Sequence, residues 1–156
     1  LYYAIINYRK EVSTDARRIN KRFFENLDFA EMSYFYHITG AGNGEKINEE
    51  GLLMADPHLW STTIEITPEM ITDPHKFVSE EKGNNLRQTD EMVLIGCPKE
   101  DVEYLVAPNE SLSWNAKEKA DYLIPRDYII GYIDMRNADE EFFITLNSNY
   151  FNYGGR

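Results

Sequence analysis

Cysteine is almost absent: the 156-residue chain has one, Cys97. It has no intrachain partner, which excludes an internal disulfide and any zinc site built from paired cysteines. Nothing therefore requires an oxidising compartment, and a cytoplasmic protein is expected, with a secreted or injected effector as the other setting. Histidine is nearly as scarce. His37, His58 and His75 stand far apart and form no H-x-x-x-H or H-x-E arrangement, so no metal site is expected. No apolar run approaches the roughly 20 residues that span a bilayer. The first residues also lack the basic, apolar, small-residue order of a signal peptide, so no membrane association is expected. The chain opens on Leu1 rather than methionine, as an excised domain or a processed chain would.

Positive charge is in short supply too. Sixteen basic against twenty-seven acidic side chains leave a formal charge of −11. That balance repels a phosphate backbone and argues against broad nonspecific nucleic-acid binding. The densest basic stretch, "RRINKRFF" from Arg17 to Phe24, reads as a solvated helix face. No G-x-S-x-G elbow exists, and Cys97, beside Pro98 at the end of an apolar run, reads as a buried, inert thiol. "GAGNG", residues 40–44, lacks both G-x-G-x-x-G and a following G-K-[ST], so by itself it is a weak phosphate-loop signal.

What remains is an ordinary globular composition, 42% hydrophobic and rich in tyrosine, long enough for one domain with its own core. Helices are predicted over 2–10 and 14–27, with Ser13 and Thr14 as cap candidates. "MSYFYHIT" predicts a strand from Met32 to Thr39, broken by the glycines that follow. "EKINEE" predicts a short helix stopped by Gly51 in the left-handed position after its end. "LWSTTIEI" alternates as a strand over 59–66, and Thr67-Pro68 and Asp73-Pro74 announce two short helices, the second closing near Gly83. "EMVLIGC" predicts a buried strand. "PKEDVEYLV" carries both a helix reading, opened by Pro98, and an alternating strand reading in Val102, Tyr104 and Val106; the helix is preferred. "DYLIPRDYIIGYIDM" predicts strand interrupted by Pro125, "EEFFITL" a last strand, and "NSNYFNYGGR" a mobile or surface-draped tail. The irregular alternation lacks the rhythm of a doubly wound sheet, so the expected class is α+β with an antiparallel or mixed sheet. One domain is expected over 1–156: a helical flank over 1–30, a core over 31–146 and a tail over 147–156.

Four segments occur in an informative order: Tyr36-His37-Ile38-Thr39, then "INEEGL" from Ile47 to Leu52, then Trp60-Ser61-Thr62, then "YLIPRDYIIGYI". Together they resemble the ADP-ribosyltransferase superfamily, in its diphtheria-toxin-like and poly(ADP-ribose) polymerase-like branch with a His, aromatic and Glu signature. The resemblance implies a split β-sandwich with a cleft between two small sheets, binding NAD as a substrate. In that reading His37 bonds a ribose hydroxyl, which a neutral imidazole can do with either nitrogen. The Ile38 backbone pairs with the nicotinamide carboxamide, Thr39 and Gly40 continue the binding segment, and Trp60 lies against the nicotinamide ring. Ser61 and Thr62 order their strand or touch the catalytic acid. Gly40, Gly42 and Gly44 would let the chain pass close to the dinucleotide.

Loss of nicotinamide leaves an oxocarbenium-like ribose, which a nearby carboxylate stabilises. Two acids compete for that role. Asp121 in "DYLIP" stands where the family often has a glutamate, one methylene longer; Glu103 in "VEYLV" matches a glutamate-Tyr-apolar pattern only if its segment is a strand. Arg126 reads as an exposed turn residue, with pyrophosphate contact as the other possibility. The resemblance implies transfer of ADP-ribose to a macromolecule: a protein acceptor is favoured, a nucleic-acid acceptor is possible, and a toxin of this kind would have a neutralising partner. Two alternatives stand beside it, a catalytically inactive α+β interaction domain and an NAD-dependent RNA 2′-phosphotransferase-like enzyme, whose arginine set has no match here.

Overall fold

The computed structural model describes residues 22–53, 63–84, 90–102, 123–137 and 142–153. The predicted helix over 2–10, most of that over 14–27, and Trp60, Ser61, Thr62, Glu103 and Asp121 lie outside the described residues.

The architecture is α+β, as the sequence predicts. Strands β1 (Met32–Thr39), β2 (Leu52–Leu53), β3 (Thr63–Ile66), β4 (Glu91–Pro98), β5 (Leu123–Ile124), β6 (Ile129–Asp134) and β7 (Ile144–Leu146) are joined by helices α1 (Asn43–Glu50) and α2 (Pro74–Asn84). Five strands form an antiparallel sheet in the order β3-β1-β4-β6-β7, and β2 pairs with β5 in a separate two-stranded sheet.

Strand β1 forms where aromatic and β-branched side chains favour a pleated, half-buried surface. Its alternation divides the sheet into two faces. Tyr34, Tyr36 and Ile38 point to one, where Met92, Leu94, Ile130 and Ile133 join Phe77 and Val78 of α2, Phe24 and Phe142 in a continuous core. On the other, Phe35, Val93, Ile95, Cys97 and Ile129 pack under Ile47 of α1, Leu52 of β2 and Ile124 of β5. Strand β4 is buried along nearly its whole length because both faces are covered. Strand β6 carries a bulge: Leu94 stands opposite Gly131 and Ile95 opposite Ile129, leaving Ile130 as the extra residue.

Punctuation works as predicted in most places and differs in detail at others. Gly51 ends α1, its N–H donating to the Ile47 carbonyl at 2.8 Å, but with φ 87° and ψ 176° it is extended in ψ rather than left-handed helical. A Cβ there would fall 2.5 Å from the Ile124 carbonyl oxygen, so β5 packs against this bare backbone. Pro98 closes β4 and is the N-cap, not the first position, of a 3-10 turn, Lys99–Asp101, that runs into the helical residue Val102, so the preferred helix reading holds as far as the described residues reach. Phe142 and Phe143 precede β7 rather than belonging to it; Phe142 is buried in the core. Asn147 to Tyr153, in the stretch expected to be mobile or draped over the surface, is tied down by hydrogen bonds to other elements, among them Asn149 Nδ2 to Asn48 O at 3.3 Å. Asn147 donates from Nδ2 to the Arg126 and Ile129 carbonyls, and the Phe151 N–H reaches Asp127 O at 2.8 Å.

Candidate functional site

His37 lies on the face that carries α1 and the β2–β5 sheet. Its cross-strand neighbours are Thr63 on β3 and Val93 on β4, and the same row continues to Tyr132 on β6 and Thr145 on β7. Val93 belongs to the cluster that includes Leu52 and Ile124, so the imidazole borders the layer between the two sheets. Its Nδ1 is 2.9 Å from Thr63 Oγ1. Burial disfavours the charged ring and lowers its pKa to about 4. At neutral pH His37 is therefore an uncharged imidazole, offering one nitrogen as donor and the other as acceptor.

Two residues on, Thr39 shares this face and stands opposite Glu91, which in turn stands opposite Asp134. Thr39 Oγ1 accepts from Asn43 Nδ2 at 2.9 Å. Glu91, only 5% exposed, is the anion of the glycine loop: its two carboxylate oxygens accept the N–H groups of Gly42 at 3.0 Å and Gly44 at 2.6 Å. Asp90 accepts the Ala41 N–H at 3.2 Å. These amides lead into the N-terminus of α1, where a carboxylate satisfies unpaired donors and complements the helix dipole. Glu91 thus fills internally the kind of backbone nest that holds a phosphate in nucleotide-binding loops.

The glycines of this loop answer to different demands. Gly42 adopts φ 89°, which side-chain-bearing residues rarely tolerate. At Gly44 a Cβ would sit 2.4 Å from the Tyr132 ring and 2.7 Å from Glu91 Oε1, so the crowding that needs glycine is intramolecular. Gly40 has room, its nearest neighbour being Asn43 Nδ2 at 3.9 Å.

The other sequence candidates divide between described and undescribed positions. Ile38 turns its side chain into the opposite core, and its main chain is paired with Met92. Thr63, directly after Thr62 in the sequence, reaches His37. Strand β5 begins two residues after Asp121 and pairs with β2, the strand that follows Gly51. Val102, directly before Glu103, packs against the cluster on the His37 face. Arg126 is exposed in a 3-10 turn and donates from Nη1 to Glu49 O at the end of α1, 3.1 Å away. Sequence reasoning missed Glu91, Thr63 and Tyr132. The acidic pair Asp90-Glu91 at the start of an apolar strand was the available signal for the first.

Electrostatics sharpen the contrast with the remaining polar groups. Arg136 pairs with Asp134 at 2.7 Å, and this bond holds the Asp134 carboxyl below its ordinary range. Cys97 is fully buried and its thiol is pushed up to about 12, the state of an inert sulfur. Among the described residues no group of three His, Cys, Asp or Glu side chains is placed to hold a metal ion, and no helix is long and apolar enough to cross a membrane. A groove of about 210 Å³ lined by Phe24, Leu27, Phe29 and Ile71 lies on the opposite side of the sheet from His37. No protein-family model, curated protein or solved structure matches this chain.

Proposed function

We propose that the protein is an NAD-dependent ADP-ribosyltransferase whose site lies on the His37 face of the five-stranded sheet, toward β2 and β5. The observation that carries this reading is the β1–β3 pairing: His37 stands directly opposite Thr63, the residue that follows Trp60-Ser61-Thr62. Thr63, which directly follows one segment of the resemblance in the sequence, is thereby the cross-strand neighbour of His37 in another, 26 positions away in the chain. The β2–β5 pairing supports it further, since it joins the strand after "INEEG" to the strand that follows Asp121. In this reading the five-stranded and two-stranded sheets are the halves of a split β-sandwich.

His37 enters as a neutral imidazole and hydrogen-bonds a ribose hydroxyl of NAD. The Ile38 to Gly40 main chain and Trp60 hold the nicotinamide, with Ser61 and Thr62 beside it. The bond between ribose C1′ and the nicotinamide nitrogen breaks with its electron pair leaving on nicotinamide, and a nucleophile of the acceptor adds to C1′ and sheds a proton. A carboxylate from Asp121 or Glu103 stabilises the positive charge between these events. The net acidity of the chain favours a protein acceptor over a nucleic acid. Incubation with NAD and chromatographic detection of nicotinamide tests this. Release that falls by at least about 100-fold in His37→Ala, and in one of Asp121→Asn and Glu103→Gln, supports it; no release by the wild-type protein refutes it.

A second reading, an interaction domain without catalysis, is favoured by one feature. Phe143, Phe151 and Tyr153 near the C-terminus keep 39%, 49% and 40% of their surface exposed. Absence of any NAD-induced thermal shift would select it.

A further inference from the structure

We propose that the turn after β7 and the Arg126–Tyr128 turn together form a docking surface for an arginine-bearing segment of a partner protein, which the Phe151 ring and the carboxylates around it recognise. The inference goes beyond the NAD reading and does not depend on it. Its basis is an exposed aromatic side chain held in a fixed place. Phe151 keeps 49% of its surface exposed, yet its ring meets Tyr128 at 5.6 Å and Tyr150 at 5.0 Å, both edge to face. Its N–H donates to Asp127 O at 2.8 Å, and Asn147 Nδ2 ties the same turn to Arg126 O. A ring ordered in advance loses little freedom when a ligand packs on it.

The charged groups around this ring are mostly of one sign. Asp127 is exposed, and Asp101 accepts from the Tyr128 hydroxyl, a bond that pushes the phenol up to about 12 and keeps it a neutral donor. Glu100 precedes Asp101 in the 3-10 turn after β4, and Glu49 stands at the end of α1, where its carbonyl accepts from Arg126. Among the described residues of these turns the cations are Lys99 and Arg126. Four carboxylates therefore outnumber two cations beside an exposed ring. Such a surface selects a cation: the π face attracts positive charge at contact, and the carboxylates draw it from further away. Arginine suits it better than lysine, because a planar guanidinium stacks on a ring and still presents its N–H fork to a carboxylate. Tyr153, two residues on and also exposed, extends the surface along the chain, which fits a peptide segment rather than a single amino acid.

Length-matched, fluorescein-labelled peptides that alternate glycine with arginine, lysine or citrulline, titrated with the full chain and followed by fluorescence anisotropy, test this without NAD. The arginine peptide should bind most tightly, the lysine peptide more weakly, and the neutral citrulline peptide not at all. Phe151→Leu keeps an apolar side chain and the net charge but removes the π face, and should weaken the arginine peptide about 5-fold. Asp127→Asn, whose main-chain carbonyl still holds the Phe151 N–H, should weaken it about 3-fold. Glu69→Gln removes the same charge from the exposed turn after β3, the edge strand furthest from β7, and should change binding by less than about 1.5-fold. No binding of the arginine peptide by wild type overturns the proposal, as do equal affinities for arginine and lysine or an unchanged affinity in Phe151→Leu. A loss in Glu69→Gln as large as that in Asp127→Asn assigns the effect to net acidity and overturns it too. So does a wild-type dimer in sedimentation that Phe151→Leu dissociates, which would make the ring an interface between copies of this chain. If Phe151→Leu fails to fold, the comparison of Asp127→Asn with Glu69→Gln, both at exposed positions, still decides.

Discussion

The two faces of the five-stranded sheet are built from the same strands and differ in kind. One is apolar from edge to interior, with Tyr34, Tyr36, Ile38, Met92, Leu94 and Ile133 packed with Phe24 and with Phe77 and Val78 of α2. Its polar atoms are directed outward to single partners: the Tyr36 hydroxyl donates to Glu81 at 2.7 Å, and the Tyr34 hydroxyl accepts the Asp28 N–H at 3.0 Å. Burial and the Glu81 carboxylate push the Tyr36 pKa up, so that it stays a neutral donor. The opposite face is apolar only in its middle. Toward the end of β1 it carries Thr63, His37, Thr39, Glu91 and Asp134, linked to the glycine loop and to one another's strands. The first face stabilises a sheet; the second uses that rigidity to hold polar groups in fixed mutual positions, which is what a binding or catalytic site requires.

The comparison breaks most sharply at Leu94, which is 1% exposed in the all-apolar face. Leu94→Ala should cost about 4 kcal/mol by lost burial and an unfilled cavity, measured by urea unfolding. A cost below about 1 kcal/mol would mean that this face is loosely packed.

Next in size is the pH response of the mixed face. The His37 pKa is depressed to about 4 in the folded chain against 6.5 in the free side chain, so the unfolded chain binds the extra proton first. Stability should therefore fall as pH drops from about 6.5 to about 4, by on the order of 3 kcal/mol at most, and stay flat with respect to this group above that window. His37→Gln should flatten that arm of the stability–pH curve. An equally steep fall in the variant would assign the effect to other groups.

Glu91→Ala leaves the Gly42 and Gly44 N–H groups without their acceptor, and about 2 kcal/mol of destabilisation is expected. Glu91→Gln, which keeps one acceptor oxygen, should cost less. Equal costs would show that charge at the α1 terminus, and not hydrogen-bond geometry, carries the effect. The smallest change is expected at Ile64, which lies on the edge strand β3 and is 41% exposed: Ile64→Ser should stay within about 0.5 kcal/mol. A larger loss would place it under a partner or a further element of the chain.

Local pattern was legible wherever one strong signal dominated. The run Met32–Thr39 matches its strand to the residue, and α2 begins at Pro74 and ends one residue beyond Gly83. It was less legible where two signals met. Pro98 suits both a helix start and the last residue of a strand; β4 is buried on both faces and its pairing with Met32 extends the ladder that far. The glycines of residues 40–44 advertised an unusual backbone, but not its cause. At Gly44 the cause is the ring of Tyr132, 88 positions along the chain, together with a carboxylate 47 away.

By itself, then, the sequence determined an α+β chain and most of its strand and helix punctuation, because periodicity, β-branching, proline and glycine act within a few residues of one another. Tertiary structure alone decided that Thr63 is the partner of His37, that Glu91 occupies the amides of the glycine loop, and that β2 lies beside β5. Those are matters of strand register and of which face is covered, set by the simultaneous packing of distant segments, and no local pattern encodes them.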